Sequence, residues 1–282
     1  MNISIKPVDV LFFRDSKPFG RGSEHFTRSI FPPFSQTLYG AFRTKVLEDV
    51  GCNYEEFKKG NLILGKKKNK IDIEKIKKEI GTPAEPGQFL LKGPLILKDD
   101  EVIYLKIPAD VKCSKENGKK YMILKPFDWK TVGIETDFDG DQCFPHVKTE
   151  VPLENVEGYI SLSDFVSSYL IGEKNFEEKC VEEPENIFQY EMRIGLKIDS
   201  KSYTAEERML YTVGVVRLNS NFSLFVRIEN LTTLKPVGLI KLGGLNKVCE
   251  YKELSNNPLN VLSKAQEQIK EKIYNTKKFK II

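Results

Sequence analysis

Four of the eight arginines in this 282-residue chain, Arg14, Arg21, Arg28 and Arg43, fall within one 30-residue stretch, in a sequence that otherwise relies on 36 lysines for positive charge. Guanidinium is a rigid planar fork that grips phosphate at two points and stacks on rings and bases, which an ammonium group cannot do. The stretch begins Phe12-Phe13-Arg14-Asp15-Ser16-Lys17-Pro18-Phe19-Gly20-Arg21-Gly22 and points to nucleic acid or a phosphorylated partner. Surface ion pairs with Asp15 and Glu24 explain the same residues and stay open as an alternative. A second candidate is Lys241-Leu242-Gly243-Gly244-Leu245-Asn246-Lys247. Without Cβ atoms its glycine pair allows a backbone to come within hydrogen-bonding distance of phosphate or ribose, and Lys241 and Lys247 flank it with charge. A plain turn before a strand accounts for that spacing equally well.

Residues that could do catalysis are sparse. Asp137-Phe138-Asp139-Gly140-Asp141 opens like a calcium loop, but Gln142 stands where glycine is needed and Lys148 where glutamate should bind. His25 and His146 are the only histidines, and His25 lies within the arginine stretch, where it is the one candidate for a general acid. The sequence holds neither a nucleophile elbow nor a phosphate-binding GxxxxGK[ST] loop. The expectation is a chain with no catalytic residue, no cofactor and no bound metal.

The elements that must position these residues follow from pattern. Ile3–Leu11 reads as a strand, and the arginine stretch leaves it as a loop of about 20 residues, a length usually reserved for function. Ser35 reads as a helix N-cap, and Leu38, Phe42, Val46 and Leu47 repeat at helical spacing until Gly51. Residues 88–97 and 101–108 read as a hairpin around Lys98-Asp99-Asp100, Tyr121–Lys125 as a short strand, and Ser161 and Asp164 as a capping box opening a helix through Leu170. Met192–Ile198, Met209–Leu218 and Phe222–Ile228 are predicted strands, with Asn219-Ser220-Asn221 as the tight connection between the last two. A strand at Val248–Leu254 and a helix at Leu259–Tyr274 follow, and the chain ends on a strand just begun. Lysine-rich 58–70 reads as a solvated loop, and Trp129–Val156 as a linker or insertion.

Bulk properties bound the class. A net charge of +4 makes any positive potential local rather than global. Five scattered cysteines without a C-x-x-C pair argue against a disulfide framework and a zinc site, and fit reduced cytosol. The length suits two domains, and no stretch reaches the 18 apolar residues of a membrane span.

Two motifs carry a resemblance. Phe12-Phe13-Arg14-Asp15 with Lys17-Pro18-Phe19, followed by Phe31-Pro32-Pro33-Phe34-Ser35-Gln36-Thr37-Leu38-Tyr39-Gly40-Ala41-Phe42-Arg43, resembles the N-terminal signature of the third subunit of the type III-B CRISPR (Cmr) effector complex, a RAMP-superfamily protein. Arg193–Asp199 with Thr204–Thr212 is similar to the central motif of the same family, and Leu242-Gly243-Gly244 to its glycine-rich loop. The loop departs from the family at Leu245-Asn246, and a C-terminal Leu/Ser-Pro segment is missing, which implies a shortened chain. The resemblance implies an α+β fold of two ferredoxin-like (RRM-like) modules with long inserted loops, at 1–156 and 157–282. It also implies a non-catalytic, cytoplasmic subunit that grips the 5′ repeat-derived handle of the CRISPR RNA and docks on the large polymerase-like subunit and neighbouring RAMP subunits. Its RNA contacts would be Arg14, Lys17, Arg21, Arg28, Arg43, Lys241, Gly243, Gly244 and Lys247. The rival readings are a metal-independent RAMP endoribonuclease using His25, and an interaction scaffold without RNA contact.

Overall fold

The computed structural model describes residues 1–15, 26–60, 73–114, 120–127, 144–146, 149, 151–172, 176–198 and 205–275. Lys17, Arg21, His25, the Asp137–Asp141 loop and the strand expected at the end of the chain lie outside these, as does most of the basic 58–70 segment. The fold is mixed α and β with mainly antiparallel sheets. It divides into two compact units, one made of Met1–Glu101 with Ile187–Asn257 and the other of Val102–Asn186 with Pro258–Ile282. Each unit is assembled from two separated stretches of chain, so the chain passes between them after Glu101, Asn186 and Asn257.

The first unit contains β1 (Asn2–Pro7), β2 (Phe26–Arg28), α1 (Ser35–Asp49), β3 (Leu90–Lys98), β4 (Phe188–Ile198), β5 (Ala205–Leu218), β6 (Phe222–Glu229), β7 (Val237–Lys241) and β8 (Val248–Glu253). Five strands line up as β3-β6-β1-β8-β7, each antiparallel to its neighbour. β1 takes the centre because Ile3 and Ile5 are fully buried on the face that α1 covers with Leu38, Phe42 and Val46. Burying about a dozen such aliphatic and aromatic side chains, at roughly 1.5–3 kcal/mol each, is what holds the layer together. Phe42 meets Tyr251 of β8 edge to face at 5.7 Å, and Tyr251 lies over Gly238, where any Cβ would stand 2.9 Å from its hydroxyl and 3.0 Å from its ring. Burial, with Asp49 nearby, pushes the Tyr251 hydroxyl up to about 12.

A second sheet of the same unit pairs β4 with β5 antiparallel and β5 with β2 in parallel. The parallel strand Phe26–Arg28 sits inside the stretch that reads as a loop; three residues are too few for alternation to signal a strand. Asn219-Ser220-Asn221 does make a turn, with Phe222 N–H donating to Asn219 O at 2.9 Å, but it carries the chain from this sheet to the other rather than closing a two-strand ladder. Asp9, Glu191, Arg193 and Arg217 form a four-charge cluster fastening β4 and β5 to the segment after β1. Hydrogen bonding from Arg193 is the main cause holding the Asp9 carboxyl below its usual range. All four side chains are well exposed, so the cluster sets geometry more than stability.

The second unit pairs Tyr159–Ser161 with Val102–Lys106 and Val181–Glu182, and Val111–Ser114 with Lys120–Ile123 and Glu154–Asn155. Ile107, Val111, Ile160 and Phe176 form its core. Ser161 caps the helix with Asp164 as its partner, though through the hydroxyl rather than the N-cap N–H: Ser161 Oγ accepts from Asp164 N–H at 3.1 Å and donates to its carboxylate at 2.7 Å. The helix then widens into a π turn over Phe165–Ile171, where Tyr169 donates to Asp110 at 2.8 Å. Asn260–Asn275 forms the closing helix. No helix among the described residues is long and apolar enough to cross a membrane.

Candidate functional site

The chain leaves β1, pairs Leu11 with Val216, and runs Phe12-Phe13-Arg14 past the start of α1. There it meets the glycine loop that follows β7. Gly244 N–H donates to Phe12 O at 2.8 Å, and Leu242 N–H donates to Lys247 O at 2.8 Å to close the loop on itself. Gly243 holds φ at +78°, and a Cβ there would stand 2.4 Å from Phe12 O; a Cβ on Gly244 would stand 2.8 Å from the Phe12 ring. The close approach that these glycines permit is thus to the chain's own Phe12-Phe13 backbone. Their work is to bring β7 and the arginine stretch together.

What the junction creates is a cleft of about 420 Å³ lined by Arg14, Lys241, Gly243 and Gly244, with Phe13 and Ile30 behind. Its wall is one face of α1, where Thr37, Gly40, Ala41 and Thr44 repeat at i, i+3, i+4 and i+7. Only small side chains stand on that face, and a Cβ added at Gly40 would meet nothing within 4 Å. Phe34 lies at the rim with 65% of its surface exposed. The N-cap of α1 is this Phe34, without a side-chain cap, and Ser35, expected there, is instead the first helical residue, with its hydroxyl donating to Gly93 O. No acidic residue occupies the first turn, so the positive end of the helix dipole is left unneutralised by its own sequence. Lys241 Nζ approaches Glu48 at 3.7 Å, a loose pairing that leaves most of the lysine in solvent. Two cations, exposed backbone, threonine hydroxyls and an aromatic rim suit a phosphate-bearing, base-stacking ligand.

The cleft gathers Arg14, Lys241, Gly243 and Gly244 out of the sequence candidates. Arg28 is elsewhere, exposed on β2 with its guanidinium 4.0 Å over the Tyr190 ring. Arg43 is taken up by the fold: it donates to Thr82 O and lies against the Phe57 ring. Lys247 contributes a carbonyl to the loop closure and does not line the cleft. The α1 wall was missed, although the spacing of Thr37, Gly40, Ala41 and Thr44 could have disclosed it. Among the described residues no cluster of histidine, cysteine, aspartate or glutamate is arranged to hold a metal ion.

With this geometry in view, comparison with known proteins places the chain in the class of CRISPR-associated proteins. More narrowly, a family model described as CRISPR-associated protein (Cas_Cmr3) matches residues 3–282, and the chain belongs to that family. The resemblance carried by the arginine-stretch and central motifs is thereby borne out. No curated protein matches the chain. Similar solved chains come from the cryo-EM structure of the Type III-B Cmr-beta bound to cognate target RNA and AMPPnP, state 1 (14% identity, TM-score 0.49), and from that of the Type III-B Cmr-beta bound to cognate target RNA (13% identity, TM-score 0.50). Each match covers 91% of this chain, which spans 64% and 65% of the respective chains. At 13% identity, the likeness with a TM-score of 0.50 speaks for the fold alone.

Proposed function

We propose that this chain is a non-catalytic RNA-binding subunit of a type III-B CRISPR effector complex, holding the 5′ repeat-derived handle of the CRISPR RNA in the Arg14–Lys241 cleft and docking on the large polymerase-like subunit. The observation that carries this reading is the convergence of Arg14, Lys241 and the glycine loop on one open cleft beside a helix face stripped of large side chains. Family membership supports it, as does the first unit's strand order β3-β6-β1-β8, with α1 between β1 and β3. That is the order of a ferredoxin-like sheet, with β7 and the glycine loop taking the place of the second helix. Arg28 stacked on Tyr190 extends the same reading to a second RNA contact on β2 and β4.

The test separates charge from shape. Arg14→Ala with Lys241→Ala should weaken binding of handle RNA and lower the slope of log affinity against log salt by roughly 0.7 per lost phosphate contact. Gly40→Leu adds bulk to the cleft without touching charge; it should cut affinity tenfold or more while raising helix stability by up to about 1 kcal/mol. If both variants bind handle RNA as the parent does, with the parent's salt slope, the cleft is not the RNA site.

The same reading has the chain bind RNA without cleaving it. Purified protein incubated with repeat RNA, with and without divalent metal, should leave it intact over hours on a sequencing gel. Specific cleavage that disappears in His25→Ala would instead support an endoribonuclease.

A further inference from the structure

Strand β7 closes its sheet on one side and leaves the other side open. Glu253 N–H donates to Pro236 O, and Leu242 N–H to Lys247 O. The register between β7 and β8 therefore turns the backbone groups of Gly238 and Ile240 toward β8 and those of Val237, Leu239 and Lys241 toward the free edge. No other strand pairs with that edge among the described residues. Proteins commonly protect such an edge with a central charge, a bulge or a proline. Here Pro236 and Lys241 stand at the ends, and Val237-Gly238-Leu239-Ile240 between them carries no such guard. The outward side chains are aliphatic and open, Val237 at 65% and Leu239 at 56% exposure.

From this we propose that the edge of β7 is a docking strand, which takes an extended segment of a neighbouring protein subunit as a further strand of the sheet. The segment's chemistry follows from the edge. Its backbone completes the ladder at Val237, Leu239 and Lys241, its residues opposite Val237 and Leu239 are aliphatic or β-branched, and acidic residues flank them. Lys235 and Lys241 bracket the strand, 61% and 65% exposed, with their nearest carboxylates at 3.8 and 3.7 Å. That bracket also argues against a second copy of this chain. Antiparallel self-pairing sets Val237 opposite Lys241 of the other copy and brings Lys235 of one copy toward Lys241 of the other, like charge beside like. RNA is the weaker fit because the edge offers neither arginine nor aromatic ring. The inference rests on the reading of the chain as a subunit of an effector complex.

Leu239→Pro is the informative variant. The Leu239 N–H makes no bond within the chain's own sheet, so proline at this outward edge position is tolerated by the fold but denies the incoming strand its donor. The full chain, assembled with its complex from the native operon, is compared with the isolated chain by hydrogen exchange resolved to single amides. In the isolated chain the amides of Val237, Leu239 and Lys241 should exchange at least 100-fold faster than those of Gly238 and Ile240, and in the assembled complex they should be slowed to match. Leu239→Pro should keep the parent's melting temperature and handle-RNA affinity yet lose at least tenfold in affinity for the neighbouring subunits. Fast exchange at these amides in the complex overturns the proposal, as does protection that arises in the isolated chain on self-association, or on adding RNA alone. If Leu239→Pro melts lower, Val237→Lys replaces it and must show the same selective loss. A parent chain that enters no complex overturns the proposed function and this inference together, whereas entry with an open edge overturns the inference alone.

Discussion

Gly243→Val should lower the melting temperature by roughly 4–20 °C, because the position combines two demands that valine cannot meet. Its φ of +78° lies where a side chain costs about 1–2 kcal/mol, more for a branched one. Its Cβ would stand 2.4 Å from Phe12 O, a backbone atom that can yield only by moving the strand exit, for a further 1–3 kcal/mol of strain. At 2–4 °C per kcal/mol for a protein of this size the sum gives the range stated. Gly244→Ala is the contrasting case: its φ is not in the left-handed region and its Cβ meets the buried Phe12 ring rather than backbone, so a smaller loss of about 1–2 kcal/mol is expected. Thermal melting of both variants checks the ranking. Equal and small losses would show that the loop does not need its grip on Phe12. Handle-RNA binding of Gly243→Val, measured well below its melting temperature, should also fall, since Lys241 and Arg14 keep their places through this junction.

The elements legible in the sequence were those whose signal is local. Leu38, Phe42, Val46 and Leu47 announced α1 within one residue of its observed end, and the Ser161–Asp164 cap was legible because both its bonds span three residues. Where partners are distant in sequence, pattern was silent. The short parallel strand Phe26–Arg28 exists because β5, almost 190 residues later, offers it a ladder. β7 was not foreseen because a five-residue run interrupted by Gly238 is too short to show alternation, and Gly238 makes sense only once Tyr251 is laid over it. The arginines show the same limit. Their density singled out one stretch, but composition could not distinguish Arg14, which lines the cleft, from Arg43, which the fold itself uses for Thr82 and Phe57.

Glu79 is the clearest of these non-local partners, and replacing it should produce the second large effect. It sits near the end of the helix Ile73–Ile80 with 7% of its surface exposed, and its carboxylate accepts four hydrogen bonds from the turn after β6. Oε1 takes Thr232 N–H at 3.1 Å and Thr232 Oγ1 at 2.6 Å; Oε2 takes Thr233 N–H at 3.1 Å and Thr233 Oγ1 at 2.5 Å. Burial on its own would raise the carboxyl, but the four donors outweigh it and hold Glu79 below its usual range. Glu79→Gln puts an NH₂ group against two of those donors and should cost about 2–4 kcal/mol, since one N–H and one hydroxyl of the turn are left facing a donor in a buried place. The pH dependence follows from the direction of the shift. A carboxyl lowered in the folded state contributes stability that is fully present above its unfolded value, near 4.5, and is lost as pH falls through the lower folded value. Melting curves from pH 7 to pH 3 should therefore show the parent losing stability below about pH 4.5 more steeply than Glu79→Gln, which has no proton to bind at this position. Parallel curves for the two proteins over that interval would mean that Thr232 and Thr233 find other acceptors, and that the clamp seen here contributes little to holding the β6–β7 connection beside the cleft.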